Sequence, residues 1–123
     1  ALVNNEFHFF GYTIMYIDKG IDTGEIIHQG RAEFINDDTP HTIGNRLIKK
    51  MTKDFISLIS NFTLIEHKPK IKVNYDCKLF MIRDADKNAT KNLYKNFSNN
   101  LMSYIACKDY IEKKFPIIKQ KFV

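Results

Sequence analysis

Residues 11–29 read GYTIMYIDKGIDTGEIIHQ, and the fold is decided here. Residues 12–17 are β-branched or aromatic almost throughout and apolar on both alternating faces, the pattern of a strand buried on both sides. Residues 18–24, Asp-Lys-Gly-Ile-Asp-Thr-Gly, are rich in turn formers, so the chain leaves the strand in a loop. Residues 25–34 then read as a second strand, with Gly30 as a candidate bulge or bend. Strand, loop, strand is compatible with a hairpin, although the loop is long for one.

Downstream, Asn36-Asp37-Asp38-Thr39-Pro40 is a helix start. Asp38 or Thr39 can accept from free backbone N–H groups, and Pro40 suits the first helical position. Ile43, Leu47, Met51, Phe55, Leu58 and Phe62 recur at three or four residues, which predicts an amphipathic helix over residues 40–60 with that stripe packed on the sheet. Upstream, residues 1–9 carry little signal on their own. Beyond the long helix, the polar joint around Pro69 predicts a boundary, dividing the chain into residues 1–65 and 66–123. In the second part, residues 72–75 and 78–82 are candidate strands of a hairpin. Asn88 or Thr90 can start a second helix with Leu93, Phe97, Leu101, Tyr104 and Ile105 on its apolar face. Pro116 ends that helix and leaves residues 117–123 as a tail. The fold class expected is α/β.

Composition narrows the function classes. The chain is 44% hydrophobic, enough for a core, and no run approaches the ~18 apolar residues of a membrane span. Cys77 and Cys107 match no metal-ligand spacing, so no metal site is expected and a reducing, cytoplasmic setting is. Net charge is +5, unevenly placed: residues 1–61 carry six bases and eight acids, and residues 62–123 carry thirteen bases and six acids. The basic half, with Tyr75, Phe80, Tyr94, Phe97, Tyr104 and Tyr110, admits a nucleic-acid-binding reading. Against it, Phe97 and Tyr104 fall on the helix stripe, where they serve as core.

The whole of residues 11–29 resembles the 10-formyltetrahydrofolate-dependent formyltransferase family without a gap: Gly-x-Thr-Ile, a strand, Gly-Ile-Asp-Thr-Gly, then two apolar residues and Gln two further on. Asp-Thr-Gly alone would also fit an aspartic protease, but that needs a second copy or a symmetric partner. The resemblance extends over residues 1–62, makes residues 1–6 the tail of a preceding helix, and implies the C-terminal portion of a Rossmann-like catalytic sheet followed by a short strand and helix extension. It implies Asp22 as the catalytic carboxylate, and the backbone of Lys19, Gly20 and Ile21 as the edge that meets the pterin of 10-formyltetrahydrofolate. Gly20 and Gly24 would let that backbone turn tightly.

The family also needs an Asn and a His upstream of this loop, in a segment ending His-x-Ser-Leu-Leu-Pro, and neither is present. His8, His28, His41 and His67 stand in the wrong places and read as ordinary residues. The resemblance therefore implies a fragment that is inactive alone and whose partner is the missing N-terminal half of the domain. Residues 78–84, 93–104 and 116–120 resemble the short tails of sugar-nucleotide N-formyltransferases, which formylate a nucleotide-linked 4-amino-dideoxysugar for lipopolysaccharide O-antigen and related glycans. Methionyl-tRNA formyltransferase, favoured by Thr13-Ile14-Met15, and glycinamide ribonucleotide transformylase remain alternatives. A homodimer is admitted by the edge that a tail hairpin would offer.

Overall fold

The structure is a computed structural model that describes residues 1–69 and 81–123. Two short 3-10 turns, Leu2–Asn4 and Phe7–Phe9, lead into strand β1, Gly11–Met15. Strand β2, Ile26–Arg31, follows and pairs antiparallel with β1, Tyr12 opposite Gly30 and Ile14 opposite His28. Helix α1, Pro40–Ser60, comes next, and helix α2, Lys87–Lys114, closes the order after short turns at Phe62–Leu64 and Ile82–Asp84. The chain is thus mixed α/β, but among the described residues the sheet is only this antiparallel pair. Its strands are adjacent, as expected. The N-terminal residues form 3-10 turns rather than the tail of a helix, with Asn5 at a left-handed φ of 61°. The expected strands over 72–75 and 78–82 fall on residues outside the described ones, except at their downstream end, where Ile82–Asp84 is a 3-10 turn.

Helix α1 begins where the cap chemistry places it. The Thr39 hydroxyl accepts from the Thr42 N–H, and the Thr42 hydroxyl accepts from the Thr39 N–H, so two otherwise free donors are satisfied reciprocally ahead of Pro40. The Asp38 carboxylate takes the Arg46 guanidinium at 2.7 and 2.8 Å and the Ile35 N–H at 2.9 Å, tying the helix's second turn to the segment that enters it. Helix α2 starts earlier than expected: Asp86, rather than Asn88 or Thr90, is the cap, accepting from the Ala89 N–H at 2.7 Å.

One core joins these elements. Phe7 is almost wholly buried, with ring centroids of Phe34, Phe97 and Tyr104 at 5.3, 5.6 and 5.3 Å. Removing such a side chain costs about 3–5 kcal/mol. Ile43 of α1 belongs to the same cluster, as do Leu101 of α2 and Leu2. The apolar face expected of α2 is the one it buries.

Helix α1 departs from expectation in its lower half. Ile43 and Leu58 are buried and Leu47 half-buried, but Met51 and Phe55 are 37% and 49% exposed, and Asp54, at 7%, takes the inward position. The cause is that the apolar face of α1 is wider than the sheet that meets it. Ile48, Ile56 and Ile59 are exposed as well. A two-stranded sheet covers only one of the helix's sides, and the side it covers is the one that carries Asp54.

Candidate functional site

The loop over residues 16–25 leaves β1 through a register shift between Ile14 and Met15 and is closed at its neck by the Tyr16 N–H, which donates to the Glu25 carbonyl at 2.9 Å. Gly24 sits in that neck, buried, where a Cβ would run into the Tyr16 carbonyl oxygen, so only glycine lets the two limbs approach. Inside the loop, one Asp18 carboxylate oxygen accepts from the Gly20 N–H at 2.9 Å and from the Thr23 hydroxyl at 2.6 Å, an Asx-type turn. The left-handed residue is Asp22, with φ 56°, while no glycine of the chain has positive φ. Asp tolerates that conformation better than most side chains. The glycines of the loop thus relieve crowding instead of supplying a left-handed turn.

The result is a loop held at its neck and presented outward. Lys19, Gly20, Ile21 and Asp22 are all exposed, and Ile17 and Ile21 are 99% and 91% so. Among the described residues no hydrogen bond or ion pair engages the Asp22 carboxylate or the N–H groups of Lys19 and Ile21, whereas the Gly20 N–H is already taken by Asp18. The four residues implied by the resemblance therefore lie together on one exposed tip, with Asp22 as an unengaged acceptor.

The histidines do not gather there. His8 stacks on Phe115 at 4.7 Å, with burial the main cause that lowers its pKa. His67 meets Glu25 at 2.8 Å on the surface, and His41 lies exposed at the start of α1. His28 is buried in a polar cluster that sequence reasoning missed. The Asp54 carboxylate accepts from the Tyr12 hydroxyl in a very short contact, with Lys50 Nζ at 3.3 Å and His28 Nε2 at 3.8 Å. Behind His28, the Gln120 N–H donates to Nδ1 at 3.2 Å, and the Gln120 side chain spans the Ile27 and Glu66 carbonyls and the Glu66 N–H. Burial raises the Tyr12 phenol well above its usual range, with Asp54 adding to the shift. Burial likewise lowers the His28 pKa, partly opposed by Asp54.

Gly30 belongs to this cluster. It is not a bulge: a Cβ there would strike the Tyr12 ring, so its absence lets the ring lie across β2 toward Asp54. The expected tail is also docked, since the Gln29 N–H donates to the Ile118 carbonyl at 2.7 Å and Ile118 and Gln120 are buried. The available signal was the spacing of Lys50 and Asp54 on the same helical side as Ile43, Leu47 and Leu58, overshadowed by the larger Met51 and Phe55. Among the described residues no group of His, Cys, Asp and Glu could hold a metal ion, and no helix is long and apolar enough to cross a membrane.

Against known proteins, residues 5–59 match the family described as Formyl transferase. The cytosolic 10-formyltetrahydrofolate dehydrogenase of Xenopus tropicalis is 47% identical over 38 residues, covering 31% of this chain and 4% of that protein. Its counterpart in Xenopus laevis is 45% identical over 38 residues, with the same coverage. The chain thus spans a small part of the curated relatives it matches. No solved structure matches it.

Proposed function

We propose that this chain carries the C-terminal portion of a formyl-transfer domain that moves a formyl group from 10-formyltetrahydrofolate to the amine of a nucleotide-linked 4-amino-dideoxysugar. The observation that carries the reading is the coincidence of the Formyl transferase match over residues 5–59 with a neck-closed loop that presents Asp22 unengaged. The donor side has the broader support, because the two Xenopus relatives are named for 10-formyltetrahydrofolate. The acceptor rests on the tail resemblance of residues 78–120.

The cosubstrate supplies an activated formyl carbon. Asp22 then acts on the proton that the attacking amine must lose, by orienting a water or an imidazole from outside these residues. The Lys19 and Ile21 N–H groups and the Gly20 carbonyl offer donors and an acceptor to the edge of a pterin. Gly20 contributes no free N–H, which narrows the contacts that the resemblance implies.

The upstream half of such a domain would have a place to dock. Among the described residues strand β1 is paired on one edge only, and α1 contacts β1 more than β2. An added strand would pair along that free edge, and Met51, Phe55 and Ile59, exposed on α1, offer a partner apolar surface. In this reading the partner is the N-terminal half of the catalytic domain, which brings the Asn and His.

The test is to purify the longest natural reading frame that carries this segment and follow tetrahydrofolate release with four acceptors: a 4-amino-dideoxysugar nucleotide, glycinamide ribonucleotide, methionyl-tRNA and water alone. Turnover with the sugar nucleotide is expected, and none from the 123-residue chain by itself. Turnover with another acceptor would replace the sugar; none with any would overturn formyl transfer.

A further inference from the structure

The network behind β2 joins the last residues of the chain to a titratable ring, and its hydrogen-bond polarity has a consequence. The Gln120 N–H donates to His28 Nδ1, so that nitrogen must offer a lone pair, and the ring proton resides on Nε2, which faces Asp54. Both His28 and Gln120 are nearly fully buried, at 3% and 2% exposure, so water cannot replace the bond without movement. An imidazolium has N–H at both positions. A proton on Nδ1 would point at the Gln120 N–H, donor against donor, in a site that no solvent reaches.

We propose that residues 118–123 form a proton-released clasp on the outer edge of β2: the segment stays docked while His28 is neutral and detaches when His28 takes up a proton.

The groups that face the ring set how readily this happens. From β1, the Tyr12 ring stacks at 6.3 Å between centroids and stays a neutral phenol. From α1, the Asp54 carboxylate favours the imidazolium and Lys50 disfavours it. From the clasp itself, Lys119 disfavours it. From the joint before residue 70, Glu66 reaches the ring only through its backbone bonds to Gln120. Burial outweighs Asp54, so the docked ring binds its proton below the ordinary 6.5 and acid favours the detached state. The remaining tethers among the described residues are the Gln120 side-chain bonds to the Ile27 and Glu66 carbonyls and the Glu66 N–H, the Gln29–Ile118 pairing, a Lys121–Glu66 contact at 3.5 Å in solvent, and a Ser57 hydroxyl bonded to the Phe122 carbonyl at 3.2 Å. Detachment would bare the β2 edge and His28 together, whereas α2 and the Phe7 core lie elsewhere and stay closed.

Hydrogen exchange of the Gln120 amide in the 123-residue chain tests this from pH 7.5 to 5, with intrinsic exchange corrected and an α2 core amide as reference. One linked proton means that the opening equilibrium grows up to about tenfold per pH unit below 6.5. The Phe97 amide should show no such dependence. Lys119→Ala, a surface change, should blunt the effect by easing protonation of the docked ring, and Asp54→Asn should enlarge it. His28→Gln should abolish the pH dependence. PH-independent protection of Gln120, or loss in step with the Phe97 amide, would overturn the clasp. So would an unchanged response in Lys119→Ala, which stands even if the Asp54 or His28 variants do not fold.

Discussion

Asp22 and Asp54 are two carboxylates placed in opposite ways. Asp22 sits at a left-handed φ on an exposed tip with no partner among the described residues. Asp54 is buried on the inward side of α1 and receives Tyr12, Lys50 and, at longer range, His28. A carboxylate whose acceptor capacity is consumed holds elements together, and one whose capacity is left open can meet a ligand. By that criterion the richer cluster, with its Asp, His, Tyr and Lys, reads as scaffold, and the sparse loop is the one we propose as the site.

The largest effect that could break this contrast is kinetic. If the proposed formyl transfer holds for the full-length protein, Asp22→Asn should lower its kcat by roughly two to four decades, the usual scale for losing an acid–base partner, with the thermal midpoint almost unchanged. Steady-state rates beside a melting curve decide it; near-normal kcat, or activity lost only in proportion to unfolding, would make Asp22 a turn residue.

Asp54→Ala should do the reverse and destabilise the 123-residue chain by about 3 kcal/mol, because Tyr12 and Lys50 lose a common, largely buried acceptor. Urea unfolding reads this directly. A shift under about 0.5 kcal/mol would remove Asp54 from the scaffold.

Gly30→Ala should cost about 1–3 kcal/mol, since the new methyl meets the Tyr12 ring and something must move. Combined with Tyr12→Ala, the penalty should shrink, a non-additivity that a double-mutant cycle measures. Full additivity would mean that the ring is not what the glycine accommodates.

The smallest effect sharpens the comparison with a third carboxylate. Hydrogen bonds from Arg46 hold the Asp38 pKa below its ordinary 3.8. Its folded form therefore favours the charged state. That contribution is complete above 3.8 and is lost as pH falls through the lower folded value. Arg46 is a third exposed, so the loss should stay under about 1 kcal/mol. Unfolding free energies of Arg46→Ala and the unaltered chain should converge below pH 3, and a constant gap would contradict the linkage.

How much of this could be read from the residues depends on the range of the interactions. Thr39, Thr42 and Pro40 fix the start of α1 within four positions of each other, so the helix limits at Pro40–Ser60 were readable. The α2 start was displaced to Asp86 because several neighbouring polar residues can cap, and local sequence does not rank them. The Gly-Ile-Asp-Thr-Gly loop was readable as a unit, since its turn is made by its own Asp18 and Gly24.

The buried side of α1 was not readable in the same way. Apolar residues at 43, 47, 48, 51, 55, 58 and 59 form one broad arc, and periodicity does not say which margin of it meets the sheet; the margin that packs is the one that lets Asp54 reach Tyr12 across a gap opened by Gly30. The docking of Gln120 on His28 joins residues 92 apart, and no local pattern records a bond of that span. The sequence by itself determined the helices, the loop and the position of Asp22, because caps, turns and steric relief act within a few residues. Which carboxylate is buried and where the chain's end is held emerged only on packing, because both depend on which surfaces meet once distant segments come together.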